Sequence, residues 1–344
     1  MKEKTISELG KFGLITHLTE KAGSINESTK SRIGDDSAVI DYRDRLTLVT
    51  TDLLLEGIHF NLVYTPLKHL GYKAVSRGIS DIYAMNGTPG QIMISLGLST
   101  RFTTGDISEL YEGIYLACRK YSVDLAGGDT TSSVTGLTIG VTAIGHVNPE
   151  RLVGRDGAKP NELICVTGDL GAAYMGLQLL ERERKLFEGG NGSQPDLAGK
   201  EYIIERQLKP ELPVAVLKEL ESSELLPTSM IDITDSLATD ILLLCKNSGT
   251  GCRIYSEKIP VDTETASMAD EMGINPLMAA INGGDDYELL FTLPLDSFDR
   301  ISRIRGIRVI GHMTQAEYGS FIVLPDGSET EITSRAWGTP AEEK

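Results

Sequence analysis

The sequence MIDITDSLATDILLL occupies residues 230–244 and joins an apolar strand to a helix. Its apolar positions predict a short strand over Met230–Ile233 and a helix over 236–248. Asp232 and Asp235 lie three residues apart, with Thr234 between them, where the strand passes into the helix. The two carboxylates could converge on one metal ion or could cap the helix, and these roles are compatible.

Strands and helices alternate in this way along both halves of the chain. The first half predicts strands over Ser37–Asp41, Leu46–Thr50, Ile92–Leu98 and Leu137–His146, and helices over 4–20, 66–86 and 106–121. The second half predicts strands over Leu163–Thr167, Leu289–Leu293, Val309–Met313 and Phe321–Leu324, and helices over 172–186, 201–209, 212–225 and 264–282. The stretch NPERLVGRDGAKPNE at 148–162 is rich in proline, glycine and charge. It predicts a boundary between two domains, 1–148 and 149–344, of α/β or α+β class.

The composition limits the classes of partner. The chain has 344 residues, with 33 basic and 49 acidic side chains and a formal net charge of −16. Hydrophobic residues make up 40%, which is enough for a packed core and argues against disorder. The acidic balance argues against nucleic acid or an anionic membrane as a partner. Phosphate chemistry stays open, because carboxylates can hold Mg²⁺ and the metal can bind phosphate.

The sequence also bears on the cellular compartment. Its four cysteines form no CxxC pair, so neither a zinc site nor a disulfide framework is expected. The segment MKEKTISELGKFGLITHLTEK lacks the apolar core of a signal peptide, and no run of 18 apolar residues occurs. We therefore expect a cytoplasmic protein.

Carboxylates recur beside glycine or small hydroxyl residues. The segments that show this pattern are GDDS (34–37), TTD (50–52), SD (80–81), GGDTT (127–131), DITD (232–235) and GGDDYE (283–288). Any one of them, taken alone, is more typical of a turn. Together they indicate a site for Mg²⁺, which prefers hard oxygen ligands and binds through carboxylates and substrate phosphates.

Several common nucleotide and hydrolase motifs are absent. The sequence contains no GxxxxGK[ST] phosphate loop, no protein-kinase HRD and DFG pair, no GxGxxG fingerprint and no GxSxG elbow. A phosphoryl-transfer protein with this sequence would therefore use another nucleotide scaffold.

Taken in order, the acidic segments resemble those of the thiamine-monophosphate kinases, in the superfamily of aminoimidazole ribonucleotide (AIR) synthetase. The segments that carry the resemblance are GDDSAV (34–39), TTDLLLEGIHF (50–60), KAVSRGISDIYAMNGTP (73–89), AGGDTT (126–131), RDGAKP (155–160), VTGDLGAA (166–173), DITDSLATDI (232–241) and GGDDYELLFT (283–292). The resemblance implies an AIR synthetase-like two-domain fold, with an N-terminal domain that pairs in a barrel-like homodimer. It also implies ATP- and Mg²⁺-dependent conversion of thiamine monophosphate to thiamine diphosphate.

The resemblance assigns roles residue by residue. The implied metal ligands are Asp35, Thr50, Thr51, Asp52, Asp81, Asp129, Asp232 and Asp235. The implied ATP contacts are Asp35, Tyr111, Gly128, Asp129, Arg155 and Thr234, and a guanidinium also suits phosphate on chemical grounds. The implied substrate contacts are His59, Asp285 and Trp337. No dedicated catalytic base is expected, because the attacking phosphate is ionised near neutral pH. The family commonly has Glu at position 285 and Gly at position 236, where this chain has Asp and Ser.

Two other hypotheses stay open at this point. The same scaffold could serve another acceptor, as in AIR synthetase or selenophosphate synthetase. The second of these uses a reactive cysteine or selenocysteine near the N-terminus, whereas the first cysteine here is Cys118, inside a predicted helix, which disfavours that acceptor. Alternatively, the chain could bind nucleotide or thiamine phosphate as a sensor without transfer, although none of the proposed ligand carboxylates is lost.

Overall fold

The computed structural model describes Lys30 and residues 35–41, 44–189 and 195–334. The helix predicted over 4–20 and Trp337 lie outside the described residues. The described chain folds into two sheets with helices packed on them, which confirms the α/β (α+β) class.

The first sheet lies between residues 38 and 147. Its strands are β1 (Ala38–Asp41), β2 (Leu46–Leu55), β3 (Thr88–Leu98), β4 (Asp124–Ser132) and β5 (Thr138–Val147), in the order β1-β2-β5-β3-β4. Neighbouring strands are antiparallel except β3 and β4, which are parallel. β4 is therefore an edge strand, and nearly all of its residues are exposed.

Two helices cover one face of this sheet. They are α1 (Leu67–Ala84) and α2 (Thr104–Tyr121). Alternate residues of β5, such as Ile139, Val141 and Ala143, are buried under α1, as the two-residue period of a strand requires. The residues between them on β5 are only half-buried, so no element of the described ranges covers the opposite face of the sheet in the same way.

The second sheet lies between residues 163 and 331. Its strands are β6 (Leu163–Thr167), β7 (Ser229–Ile233), β8 (Thr250–Tyr255), β9 (Glu288–Leu293), β10 (Ile307–Gln315), β11 (Ser320–Val323) and β12 (Glu329–Glu331), in the order β12-β11-β8-β10-β6-β9-β7. The helices of this half are α3 (Ala172–Glu188), α4 (Glu201–Leu208), α5 (Val214–Ser222), α6 (Leu237–Ser248), α7 (Thr263–Glu271), α8 (Pro276–Asn282) and α9 (Phe298–Ile301). β6, β7 and β9 are buried along their whole length and form the core of this half. No helix within the described ranges has the length and apolar character needed to cross a membrane.

Three sequence predictions need correction. The segment GGDTT at 127–131, which taken alone is typical of a turn, is part of β4, because β3 provides a parallel partner that local sequence does not reveal. β2 continues to Leu55, which places Thr51 and Asp52 inside a strand. The helix predicted over 264–282 is two helices, interrupted at Gly273 (φ +66°) and restarted at Pro276, with Asn275 as its cap.

Candidate active site

Three carboxylates meet where the two halves of the chain touch. Asp36 lies two residues before β1, Asp81 lies within α1, and Asp232 lies near the end of β7. One oxygen from each lies within 4.8 Å of the other two. Asp36 and Asp232 are buried and Asp81 is half-buried. We call these three residues the carboxylate cluster.

Neighbouring hydroxyl groups orient the carboxylate cluster. Ser80 donates a hydrogen bond to Asp232 Oδ2 at 2.5 Å. Of two adjacent residues of α1, Ser80 thus orients one cluster carboxylate and Asp81 provides another. Thr50 of β2 donates to Asp81 Oδ2, also at 2.5 Å. The predicted ligands Thr50, Asp81 and Asp232 therefore lie together.

Burial and mutual repulsion make the ionised cluster costly. Burial raises the pKa of all three carboxyl groups, and neighbouring carboxylates raise the pKa of Asp81 and Asp232 further. At Asp36 the charge of Arg155 offsets part of the effect of burial. For Asp232 the pKa rises to about 7, chiefly through burial and then through Asp36. A bound divalent cation would relieve this repulsion, and three converging carboxylate oxygens are the hard donors that Mg²⁺ prefers. The residues present therefore fit the expected metal.

Asp36 joins the cluster in the place where the sequence predicted its neighbour. Asp35 is half-buried, and its Oδ1 accepts a hydrogen bond from the backbone N–H of Asp36 at 3.1 Å. Arg155 donates through Nε to Asp36 Oδ2 at 2.7 Å and contacts Asp36 Oδ1 through Nη2. Its Nε lies 4.0 Å from Asp35. Arg155 thus provides a positive charge beside the cluster.

A second set of charges lies along the same helix. Lys73, Arg77 and Asp81 are spaced four residues apart on α1, so they share one face of it. Arg77 donates through Nε to Asp52 Oδ1 at 3.0 Å. Lys73 donates to Asp285 Oδ2 at 2.9 Å. Neither cation is among the site residues predicted from the sequence, although their four-residue spacing from Asp81 could have indicated them.

The loop at 283–288, whose last residue begins β9, reaches from the segment of Thr234 and Asp235 to these cations. Asp285 N–H donates to the carbonyl oxygen of Thr234 at 2.9 Å. Gly284 has φ +78°, and a Cβ there would lie 2.3 Å from the carbonyl oxygen of Asp235, so only glycine fits. Asp285 itself has φ +58°, a conformation that costs free energy for a residue with a side chain. The predicted residues Thr234, Asp235 and Asp285 are therefore held side by side.

A cavity of about 310 Å³ opens beside this loop. Its lining includes His59, Lys73, Asp285, Glu181 and Phe60. His59 Nδ1 accepts the backbone N–H of Leu55 at 3.0 Å, which fixes the ring at the end of β2. Burial lowers the pKa of His59, and the charge of Arg77 lowers it further, so the imidazole favours its neutral form. We call this space the acceptor cavity, since two predicted substrate residues, His59 and Asp285, line it.

Four other predicted residues are not members of the carboxylate cluster. Asp129 is exposed on β4, next to Ser95 of β3, and is not one of the three clustered carboxylates. Gly128 packs so closely against β3 that a Cβ would lie 1.9 Å from the carbonyl oxygen of Ile94. The hydroxyl of Thr51 lies 3.2 Å from that of Thr142, so it faces away from Thr50. Tyr111 packs against the first core, with its ring 6.0 Å from that of Tyr115.

The serine at position 236 raises no conflict with the local backbone. Ser236 has φ 174°, which is extended and open to any residue. Its Oγ accepts the backbone N–H of Thr239 at 3.1 Å and caps α6. The turn that presents Asp232 and Asp235 is therefore compatible with this departure from the family pattern.

Comparison with known proteins places this geometry in a family. Residues 34–147 match the family model for AIR synthase related protein, N-terminal domain. The chain is 34% identical to the thiamine-monophosphate kinase of Aquifex aeolicus (strain VF5), over 95% of this chain and 97% of that protein. It is 30% identical to the thiamine-monophosphate kinase of Bacillus subtilis (strain 168), over 85% and 86% of the two chains.

The chain belongs to the thiamine-monophosphate kinase family. Among solved structures, AaThiL complexed with AMPPCP and TMP is 32% identical, with a TM-score of 0.81 over 96% of this chain and 98% of that one. Hydrogenase Maturation Protein HypE has a TM-score of 0.67 at 17% identity, a likeness of fold alone. The AIR synthase-like fold implied by the sequence motifs is confirmed.

Proposed function

We propose that this thiamine-monophosphate kinase family member transfers the γ-phosphoryl group of ATP to thiamine monophosphate, giving ADP and thiamine diphosphate. One observation carries the proposal. The loop at 283–288 joins the segment of Asp232 and Asp235 to the acceptor cavity, so the metal side and the acceptor side are built as one unit. The similar AaThiL structure, which holds AMPPCP and TMP, supports the same pairing of ligands.

The chemistry asks little of a general base. An oxygen of the acceptor phosphate attacks the γ-phosphorus, and the bond between that phosphorus and the β–γ bridging oxygen breaks as ADP leaves. The acceptor phosphate has a second pKa of about 6 and is ionised near neutral pH. The site must chiefly position two anions and offset their repulsion. We therefore assign no catalytic base among the described residues.

The Mg²⁺ that the family implies would be held chiefly by the carboxylate cluster, Asp36, Asp81 and Asp232. When bound, it supplies positive charge to the polyphosphate. The further ligands that we propose from the sequence are Asp35, Thr50, Thr51, Asp52, Asp129 and Asp235. Asp35, Tyr111, Gly128, Asp129, Arg155 and Thr234 are the proposed ATP contacts, and His59, Asp285 and Trp337 the proposed substrate contacts.

We also infer a cytoplasmic homodimer, divided into the domains 1–148 and 149–344. The uncovered face of the first sheet supports the dimer, because Val49 and Ile144 are only half-buried on it and Leu53 is 53% exposed. The exposed edge of β4 lies at the rim of the same sheet. A second copy that covered this face would bury apolar surface and place Asp129 near the subunit boundary.

The decisive test is product formation by the purified protein. With ATP, thiamine monophosphate and millimolar Mg²⁺ we expect thiamine diphosphate and ADP in equal amounts, and no product when EDTA replaces Mg²⁺. The variant Asp81→Asn should lose most turnover. Transfer to another phosphorylated acceptor but not to thiamine monophosphate would contradict the proposed substrate. Tight binding of both ligands with no turnover would indicate a sensor.

A further inference from the structure

Lys73 and Arg77 occupy the space between the acceptor cavity and the carboxylate cluster. Lys73 is the only lysine or arginine among the described residues that line the cavity. It is buried, with 5% of its side chain exposed, and Arg77 is 20% exposed at its side chain. One turn farther along α1, Asp81 belongs to the cluster. The face of α1 therefore carries two cations from the acceptor side toward the metal side.

Both cations have N–H bonds that donate to no other group within the described part of the chain. The ammonium group of Lys73 has three N–H bonds and uses two of them, on the carbonyl oxygen of Gln207 and on Asp285, each at 2.9 Å. Arg77 has five N–H bonds and uses only Nε, on Asp52, within the described part of the chain. Its Nη1 lies 3.7 Å from Asp285 Oδ1, beyond hydrogen-bond distance.

Two carboxylates hold these cations in position. Asp52 bonds Arg77 from β2, and Asp285 bonds Lys73 from the loop at 283–288. Burial opposes the ionised form of Asp285, yet Lys73 and Arg77 outweigh it and keep the pKa of this carboxyl below its usual value. Asp285 is therefore an anion that orients the pair. The Asp side chain, although shorter than the Glu that the family commonly has here, reaches Lys73.

Resting on the proposed function, we propose that Lys73 and Arg77 form the subsite that binds the phosphate of the acceptor. A phosphate oxygen accepts several N–H bonds at once, and a guanidinium fork matches that geometry. The position also suits the reaction, because the acceptor phosphate must lie where the cavity meets the carboxylate cluster. Binding there needs the free N–H bonds of both residues and leaves the bonds to Asp52 and Asp285 intact.

Calorimetric binding without ATP tests this subsite. The ligands are thiamine monophosphate and thiamine, each measured in EDTA and in Mg²⁺, so that only the phosphate differs. In EDTA, Arg77→Gln should weaken thiamine monophosphate binding at least about tenfold, as expected for the loss of a charge-assisted bond, and leave thiamine binding within about twofold. Arg77→Lys should restore part of the loss. Lys68→Met is the matched control, because Lys68 is an exposed cation on α1 paired with Glu112; it should bind both ligands as the wild type does.

A second measurement needs no variant. In EDTA, ³¹P spectra of bound thiamine monophosphate should give a phosphate pKa below its free value of about 6, since adjacent cations favour the dianion. An unchanged phosphate pKa, or an Arg77→Gln protein that loses both ligands equally or neither, would overturn the subsite. A wild-type protein that binds neither ligand would instead overturn the proposed function.

Discussion

Asp35 and Asp36 show how much one position in the chain decides. Both carboxylates lie in the same acidic motif, yet Asp35 bonds the neighbouring backbone while Asp36 enters the carboxylate cluster. The difference follows from Arg155, which offers its guanidinium to Asp36 from 119 residues away. Whether a carboxylate joins the cluster therefore depends on the direction in which its side chain leaves the backbone.

Removing the positive charge at Arg155 should destabilise the protein. Arg155→Met leaves Asp36 buried beside two other carboxylates, so we expect the free energy of unfolding to fall by about 3 kcal/mol. Adding Mg²⁺ should recover part of this loss, because the cation binds the folded cluster. Urea unfolding with and without Mg²⁺ measures both effects. Arg151→Met, which breaks a more exposed contact with Glu221 at 3.7 Å, is the control and should change stability little.

A variant of Asp129 can test whether this residue is a metal ligand or only a surface residue. Because its side chain is exposed, Asp129→Asn should unfold at the wild-type temperature. If Asp129 is a metal ligand, turnover should fall at least about tenfold, a loss of about 1.4 kcal/mol in the transition state. Asp124→Asn, on the same exposed strand, is the matched control and should keep full turnover. Near-normal turnover in Asp129→Asn would remove it from the proposed ligands.

At the scale of elements, β4 is the strand that depends most on its neighbour. Nearly all of its residues are exposed, and among the described strands only β3 pairs with it. Gly128 permits the close contact with Ile94, whereas a Cβ at Gly127 would only touch Met93 at 3.9 Å. The two adjacent glycines therefore differ in what they can tolerate.

This difference gives a paired experiment. Gly128→Ala should push β4 away from β3 and lower stability by about 1–3 kcal/mol. Gly127→Ala should have little effect, because its new methyl group meets only an ordinary contact. Thermal unfolding and ATP-analogue binding measure the two variants together. Equal behaviour of both alanines would show that the close contact with β3 has no energetic weight.

The loop at 283–288 is held in place from its buried side. Both oxygens of Asp286 accept the backbone N–H of Gly171, at 3.0 and 3.1 Å. Arg206 lies 3.9 Å from Asp286 and bonds Glu288 at 2.8 Å. Burial raises the pKa of Asp286 to about 7 despite Arg206. The anchor of the substrate loop is thus sensitive to pH.

The sign of that sensitivity follows from linkage. Asp286 has a higher pKa folded (about 7) than unfolded (3.8), so its proton stabilises the folded state below the unfolded value, and this stabilisation is lost as pH rises toward 7. Asp286→Asn cannot titrate, so the mutation should cost about 2 kcal/mol more at pH 5.5 than at pH 8. Urea unfolding of both proteins at the two pH values measures this. A mutational cost that is equal at both would contradict the raised pKa.

At the scale of the whole molecule, the face of the first sheet that no described helix covers is the surface on which we expect a second copy to bind. We expect sedimentation to give about twice 37.3 kDa for the wild type. Leu53→Asp places a charge on that face and should shift the equilibrium toward monomer, since desolvating a carboxylate opposes association. Leu295→Asp, also at an exposed leucine but in the second half, should remain dimeric. A wild-type monomer at micromolar concentration would contradict the homodimer.

The sequence by itself determined the family, the α/β class and most elements. Those features are local: β6 at Leu163–Thr167 and α6 at Leu237–Ser248 follow from hydrophobic periodicity within a few residues. It also selected Asp81 and Asp232 as chemically important, because each lies in a short acidic motif that can be read directly from the sequence.

Only the tertiary structure decided which charges meet. Asp36, Asp81 and Asp232 converge across nearly 200 residues of chain, and Lys73 and Arg77 find Asp285 and Asp52 only once α1 packs between the two halves. The strand at 124–132 forms because β3 accepts it in parallel. These pairings carry no local signal, because the free energy that selects them comes from burial and long-range electrostatics and not from the propensities of neighbouring residues.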